Sequence, residues 1–187
     1  MSNNYFKRFF GHLYTITHHR HLVIKHAFKV GIGFQGLFHD LSKYSFVEFH
    51  YGVKHYLGTK SPTVKEREVE GASRAWMHHK GRNKHHFEYW FDFSLEDKCY
   101  KPVEMPIRYL KEMFCDRVAA SKTYMKKNYT DASALEYHLG KKGIEVMHPN
   151  TSKVLEEWLV MLKEKGEKET FKYIKKIKNK QDKHLNM

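Results

Sequence analysis

The sequence has few cysteines, which can cross-link a chain, and few prolines, which interrupt helices. Its 187 residues include two cysteines and four prolines, a content that argues against a disulfide scaffold and favours a reducing compartment. No apolar run approaches the roughly 18 residues that a membrane-spanning helix needs. The first ten residues also lack the apolar stretch and cleavage site of a secretory signal. These absences predict a cytoplasmic protein without a membrane span.

The chain is long enough for one domain with its own core. Hydrophobic residues make up 41% and aromatic residues 15% of it, which excludes global disorder. Lysine plus arginine number 34 against 21 for aspartate plus glutamate, so the formal charge is +13. A positive field of this size attracts anions. We therefore expect an anionic small-molecule substrate, and the basic surface could also bind nucleic acid or an anionic membrane.

The lysine excess is greatest at the C-terminus. Lysines surround Phe171, Ile174 and Ile177, whose spacing predicts a basic amphipathic helix. We therefore divide the chain into a helical domain at residues 1–165 and a basic C-terminal helix or tail at residues 166–187. The tail is interpreted as a solvated terminal helix, with attachment to nucleic acid or a membrane as the alternative.

Apolar residues recur at helical spacing along almost the whole chain, and the prolines stand near the ends of predicted helices. Ser45 can cap one helix, with Glu48 at the matching position of a capping box. Two strand-like segments, at residues 15–17 and 91–93, are too short to build a sheet. The sequence predicts an all-α fold, a compact helical bundle. Its helices are expected near residues 4–17, 18–31, 34–42, 45–57, 65–79, 85–92, 106–127, 133–143 and 150–164.

Histidine is abundant, with 15 residues, and it is the commonest metal ligand in proteins. The doublet His39-Asp40 lies between apolar residues, where a carboxylate needs a metal ion or a basic side chain as its partner. Asp116 lies in the middle of a predicted helix among small residues. It either binds a metal or forms a buried salt bridge to Arg117 or Arg108, and the sequence leaves both alternatives open.

Four more histidines stand in two pairs further along the chain. His78 is seven residues from His85, and His79 is seven from His86, a spacing that returns to one face of a continuous helix. Gly81 makes a continuous helix doubtful, and the basic residues between the pairs are also typical of a phosphate-binding loop. The pattern favours metal ligation by at least one of these histidines without selecting which.

Three motifs within residues 15–125 resemble the HD-domain superfamily of metal-dependent phosphohydrolases: His19 with Val23 four residues later, the run His39-Asp40-Leu-Ser-Lys43, and Asp116 in Cys-Asp-Arg-Val-Ala-Ala. Members of that superfamily are all-α and hold metal through a histidine, the His-Asp doublet and a final aspartate on separate helices. The resemblance implies the ligands His19, His39, Asp40 and Asp116, with His18 as the competitor for the first position.

Branches of the superfamily that bind two ions carry further histidines between the doublet and the final aspartate. This resemblance assigns His78, His79 and His85 as additional ligands, and the choice among them and His86 stays open. Imidazoles mixed with carboxylates suit Mn, Fe, Co, Ni or Zn better than Mg or Ca, so one or two divalent transition-metal ions are expected. Longer stretches resemble uncharacterised bacterial and phage proteins, which implies no activity.

The resemblance implies a hydrolase in which a metal-activated water attacks a nucleotide or another small phosphomonoester. We assign Lys43 and Arg82 to the phosphate, with ordinary surface charge as the alternative for each. Glu48 is assigned to orient water or to act as an acid, with helix capping as its alternative. Two other functions stay open: a diiron oxygenase on the same scaffold, and a non-catalytic nucleic-acid-binding or regulatory protein.

Overall fold

The structure is a computed structural model that describes residues 2–141 and 143–179. Within those residues it is mostly helical, as the apolar spacing predicts, and it also contains a two-stranded sheet. Short 3-10 helices lie at residues 41–44, 87–89 and 126–128. The longer elements are α1 (Ser2–Val30), α2 (Gly33–Gly36), α3 (Phe46–Lys54), α4 (Pro62–Glu70), α5 (Arg74–Lys80), β1 (Phe91–Ser94), β2 (Cys99–Pro102), α6 (Ile107–Met125), α7 (Ser133–Gly140) and α8 (Pro149–Lys176).

Helix α1 is continuous, so the prediction of separate helices at residues 4–17 and 18–31 is wrong. Neither glycine nor proline stands at the predicted boundary. Ile16, Val23 and Ala27 are buried on one face that runs across it. The helix ends before Gly31, whose φ of 81° is the left-handed conformation that commonly follows a helix C-terminus.

The opposite error occurs at residues 65–79, which form two helices instead of one. Gly71 follows α4 with a φ of 76°, a conformation that glycine adopts without the penalty of a Cβ. Ser73 then caps α5 by accepting a hydrogen bond from the backbone N–H of Trp76 at 3.0 Å. Helix α5 is therefore a separate short element with its own direction.

The expectation that no sheet forms is wrong at residues 91–102. Strands β1 and β2 pair antiparallel, with Phe93 opposite Tyr100. Their connection is stabilised locally, because Ser94 Oγ donates to Asp97 Oδ2 at 2.6 Å and Lys98 takes a φ of 54°. A hairpin needs only neighbouring residues to form, so a short strand-like segment suffices here. The other strand-like segment, at residues 15–17, lies inside α1.

Helix α6 is the centre of the fold, packed between α1 and α8. Leu110, Phe114 and Val118 recur every four residues on one buried face. Phe114 meets Trp158 and Phe171 of α8 edge to face, with ring centroids 6.0 and 5.7 Å apart. Each fully buried side chain of this kind contributes about 1.5–3 kcal/mol of transfer free energy, so this apolar layer is the main source of stability.

Helix α8 carries the predicted basic segment back onto the core. It kinks at Gly166, where φ is 72°. Beyond the kink Phe171 and Ile174 are buried, while Lys172, Lys175 and Lys176 are exposed. Residues 180–187, which complete the predicted tail, lie outside the described residues. None of the described helices, α8 included, has both the length and the hydropathy that crossing a bilayer requires.

Candidate metal centre

Side chains from three separate segments meet at one buried point. His19 Nε2 of α1 lies 2.9 Å from Asp116 Oδ1 of α6, and His39 Nε2 lies 3.6 Å from the same oxygen. Asp40 Oδ2 lies 3.2 Å from His39 Nε2 and 3.7 Å from His19 Nε2. These four residues offer ligand atoms that all lie within 4.8 Å of one another. We refer to this group as cluster A.

The doublet reaches cluster A through a tight turn after α2. Gly36 lets α2 approach α1 closely, since a Cβ at this position would lie 2.4 Å from Ala27 Cβ. Arg20 Nε of α1 donates to the backbone carbonyl of His39 at 3.2 Å and so fixes the turn. Asp40 has a φ of 54°, a left-handed conformation in which aspartate is enriched. Immediately after it the 3-10 helix at residues 41–44 begins.

Helices α1 and α6 supply the other two ligands. His19 is buried, whereas His18 is exposed, so the structure brings His19 and not its competitor into cluster A. On α6, Arg117 pairs with Glu145 at 2.6 Å. Arg117 therefore pairs with Glu145 and not with the neighbouring Asp116. The Asp116 carboxylate faces cluster A instead.

A second group shares Asp40 with the first. Asp40 Oδ1 lies 3.2 Å from His79 Nε2 and 3.5 Å from His85 Nε2. His79 Nε2 lies 2.9 Å from His86 Nε2. Ligand atoms of these four residues again lie within 4.8 Å of one another, and we refer to them as cluster B. The two oxygens of Asp40 thus face different clusters, as a carboxylate between two cations would.

Helix α5 positions His79, and its N-terminus is fixed from α4. The buried Glu66 accepts hydrogen bonds from Ser73 Oγ at 2.5 Å and from the backbone N–H of Arg74 at 2.8 Å. Ser73 in turn caps α5. A helix start leaves several N–H groups without intrahelical partners. Glu66 and Ser73 satisfy two of them, those of Arg74 and Trp76, and so favour the start of α5 at this point.

The loop after α5 brings the second histidine pair back to the first. Asn83 Nδ2 donates to the backbone carbonyl of His79 at 2.8 Å and to Ser42 Oγ at 2.8 Å. The indole N–H of Trp90 donates to the carbonyl of Lys84 at 2.7 Å. The seven-residue spacing therefore places histidines together through a folded loop, and no continuous helix is required.

Two carboxylates lie behind the imidazoles, on their Nδ1 side. Glu112 Oε1 lies 2.8 Å from His39 Nδ1 and 3.3 Å from His85 Nδ1. Glu48 Oε2 lies 2.8 Å from His79 Nδ1. Because an ionised carboxylate only accepts hydrogen bonds, these contacts place the ring hydrogens on Nδ1. The Nε2 lone pairs are then left facing the clusters, which is the arrangement found around metal-binding imidazoles.

Several buried atoms that face the clusters have no hydrogen bond of acceptable geometry, although each imidazole nitrogen among them lies within 3.7 Å of an Asp40 oxygen. An unpaired buried polar atom costs about 1–3 kcal/mol. The atoms concerned carry the lone pairs that a divalent cation accepts. They are His19 Nε2, His39 Nε2, His85 Nε2 and both carboxylate oxygens of Asp40, of which Oδ2 has an ion pair with Lys43. The residues of each cluster could therefore hold a metal ion.

The charges of the clusters support the same conclusion. Burial favours the neutral form of Asp40, but His39 and Lys43 hold the pKa of its carboxyl well below the usual range. Burial also opposes ionisation of Asp116, yet His19 and His39 lower its pKa well below the usual range. Burial would lower the pKa of His39, but the surrounding carboxylates raise it well above its ordinary value. The carboxylates of the centre therefore favour positive charge beside them, as a bound cation would supply.

Lys43 pairs with the Asp40 oxygen that faces cluster A. Its Nζ is 2.5 Å from Asp40 Oδ2, and its side chain is 30% exposed. Burial disfavours the ammonium form, but Asp40 and Asp116 raise the pKa of Lys43 above its ordinary value. The residue therefore places a positive charge at the solvent-facing edge of the centre.

The remaining assigned residues lie further from the clusters. Arg82 is exposed, and its Nη1 donates to the backbone carbonyl of His78 at 3.2 Å. His78 belongs to neither cluster, and its Nδ1 donates to Glu48 Oε1 at 2.6 Å. Glu48 lies behind the imidazoles, and its backbone N–H donates to Ser45 Oγ at 3.4 Å, the contact that its capping alternative predicts.

Sequence reasoning assigned no role to Glu112 and left His86 undecided. Glu112 precedes Asp116 by four residues, so the two lie on the same face of α6. That spacing was a usable signal. The position of His86 in cluster B depends on the fold of the loop before it, for which the sequence carries no comparable signal.

The model of a family of unknown function, DUF5662, matches the chain at residues 8–161. Neither the curated proteins nor the solved structures give a match to the chain. The comparisons therefore establish a family without an activity.

Proposed function

Because the chain belongs to DUF5662, a family of unknown function, we propose a function from the site alone: a metal-dependent phosphohydrolase of the HD type, acting on a nucleotide or another small phosphomonoester. The observation that carries the proposal is Asp40, whose two oxygens face separate groups of imidazole ligands. The HD assignment is supported by ligands drawn from α1, from the turn after α2 and from α6, on separate elements of a mostly helical fold.

Two ions fit the donor set. Cluster A offers two imidazoles and two carboxylates, and cluster B offers three imidazoles and the other oxygen of Asp40. If bound by these residues, metal ions would supply a water that is acidic enough to react near neutral pH, and positive charge for the phosphoryl oxygens. Nitrogen-rich sets with carboxylates favour Mn, Fe, Co, Ni or Zn.

The exposed side of the centre indicates where the substrate enters. The side chains of His19 and His39 are at most 7% exposed, whereas Asp116 is 17% and Lys43 30% exposed. An anionic substrate therefore approaches beside Lys43, whose ammonium would pair with a phosphate oxygen. The net charge of +13 favours the approach of such a substrate.

A metal-replacement assay tests the proposal. Chelator-treated protein is reloaded with Mn²⁺, Co²⁺ or Mg²⁺ and incubated with nucleoside monophosphates and simple phosphomonoesters, and released phosphate is measured. We expect release with Mn²⁺ or Co²⁺ and its loss in Asp40→Asn, which removes a carboxylate from both clusters. No release by protein that holds two equivalents of metal would refute the proposal.

The role of Lys43 is tested separately. Lys43→Gln is expected to lower kcat/KM by about 10–100-fold, since a hydrogen bond to a charged group is worth about 1.5–3 kcal/mol. Its metal content should equal that of the wild type. Lys60→Gln, at an exposed lysine that pairs with Glu68, is the matched control and should keep full activity.

The imidazole-rich cluster B favours one further candidate, the diiron oxygenase. Loading with Fe²⁺ and measuring O₂ uptake with alcohol-bearing compounds separates it from the hydrolase. A nucleic-acid-binding protein would instead show salt-sensitive binding that survives Asp40→Ala. Each result excludes the phosphohydrolase only where phosphate release is also absent.

A further inference from the structure

Glu112 lies behind both clusters at once. Its Oε1 is 2.8 Å from Nδ1 of His39, a member of cluster A, and 3.3 Å from Nδ1 of His85, a member of cluster B. The two imidazole rings lie side by side, with centroids 4.4 Å apart. We infer that Glu112 is the positioning residue common to both ion sites, in which one carboxylate oxygen orients an imidazole of each cluster. The inference rests on the two-ion centre of the proposed function.

The Glu112 carboxylate is held firmly enough for this role. Its side chain is buried on α6, one turn before Asp116. Its second oxygen, Oε2, accepts a hydrogen bond from Gln35 Nε2 of α2. Both oxygens are therefore occupied, and the carboxylate cannot rotate without breaking a contact to one cluster. The same helix thus supplies a ligand through Asp116 and the support for two other ligands through Glu112.

The chemistry of such a contact is general. A carboxylate that accepts the Nδ1–H of an imidazole fixes which nitrogen is free for metal, fixes the ring orientation and makes Nε2 more basic. Losing a partner of this kind costs about 10–100-fold in metal affinity. Glu112 forms this hydrogen bond with His39 of cluster A, and the same oxygen lies 3.3 Å from Nδ1 of His85 in cluster B, so its loss is expected to weaken both sites.

Glu48 provides an internal comparison. It also accepts from two Nδ1 atoms, those of His79 at 2.8 Å and His78 at 2.6 Å. Only His79 belongs to a cluster, namely cluster B. Replacing Glu48 is therefore expected to weaken one site, whereas replacing Glu112 weakens two.

Calorimetric titration with Mn²⁺ alone tests this difference. Chelator-treated wild-type protein is expected to bind two equivalents. Glu112→Gln, which keeps an acceptor oxygen but loses the charge, should weaken both equivalents about 10–100-fold, and Glu48→Gln only one. Glu167→Gln is the control, because it removes the same charge from an ion pair with Lys122 and Lys29 and should weaken neither.

The outcomes separate this inference from the proposed hydrolase. If wild-type protein binds two equivalents and Glu112→Gln weakens one or none, the inference is wrong and the hydrolase stands. If both equivalents weaken but no phosphomonoester is hydrolysed, the inference stands and the hydrolase fails. Fewer than two equivalents in the wild type overturns the inference. Should Glu112→Gln not fold, Gln35→Leu loosens the same carboxylate and is expected to weaken both equivalents to a smaller extent, and an effect on one alone would overturn it.

Discussion

Helix α6 has two buried faces of opposite character. One face, with Glu112 and Asp116, contacts buried histidines from α1, the turn after α2 and the loop at residues 81–86. The other face, with Phe114 and Val118, packs on aromatic and aliphatic side chains of α8. The two faces lie about half a helical turn apart, so the same backbone supports a charged centre and an apolar core.

The two faces of α6 differ in how they affect stability. The apolar face gains free energy simply by leaving water. The charged face loses hydration, and several atoms of His19, His39, Asp40 and His85 that surround it lack hydrogen bonds of acceptable geometry, so the centre needs a further partner to recover that cost. We therefore expect substitutions on the charged face to act on metal binding and activity, and those on the apolar face to act on folding.

Asp116→Asn breaks the charged face and should have the largest effect. The variant keeps the shape of the side chain but removes one of two carboxylates from cluster A, so phosphate release is expected to fall to the level of the enzyme-free control. Its far-ultraviolet circular dichroism should match that of the wild type. Retention of most of the activity would show that Asp116 does not bind the ion.

Phe114→Ala breaks the apolar face. Removing a fully buried ring that contacts Trp158 and Phe171 is expected to lower the free energy of unfolding by about 3–5 kcal/mol. Chemical denaturation measures this change. Below the unfolding transition the Mn²⁺ affinity should stay within about threefold of the wild type, a difference below the 1.4 kcal/mol that corresponds to tenfold. A larger loss of affinity would show that the two faces are coupled.

Metal addition sharpens the comparison, because the ion would contact the charged face only but would stabilise the whole folded protein. At 100 times its dissociation constant, an ion that binds only the folded state adds about 2.7 kcal/mol to the free energy of unfolding. Thermal unfolding with Mn²⁺ and with chelator measures this, and the wild type and Phe114→Ala should gain equally. Asp116→Asn should gain less, and an equal gain in that variant would contradict metal binding in cluster A.

The sequence predicts α6 closely because its signals are local. Helical spacing and Pro106 predict residues 106–127, and the helix spans Ile107–Met125. The split between α4 and α5 was missed because it depends on a positive φ at Gly71 and on the contact of Ser73 with Glu66. Glycine in a helical pattern does not reveal whether it is tolerated or ends the helix.

The candidate site, like the fold, could be predicted from the sequence only where the signals are local or come from the resemblance. His19, His39, Asp40 and Asp116 can be named from residue type, burial pattern and resemblance, and the structure brings them together. Which imidazole nitrogen faces the ion, and that Asp40 serves both clusters, depend on how the loop at residues 81–86 folds against the turn after α2. Those contacts join residues about 40 positions apart, and no local pattern predicts them.

The smallest predicted effect concerns His26, which lies two turns beyond His19 on α1 but packs on Phe171, 5.0 Å between ring centroids. Burial, with the charge of Lys122, lowers the pKa of His26 to about 4. Because the unfolded chain binds a proton from about pH 6.5 downward and the folded protein only near pH 4, His26 costs stability as the pH falls between these values, by about 1.4 kcal/mol per unit. His26→Gln should flatten the pH dependence of the unfolding free energy by that amount. Identical slopes for His26→Gln and the wild type would contradict a lowered pKa of His26 in the folded core.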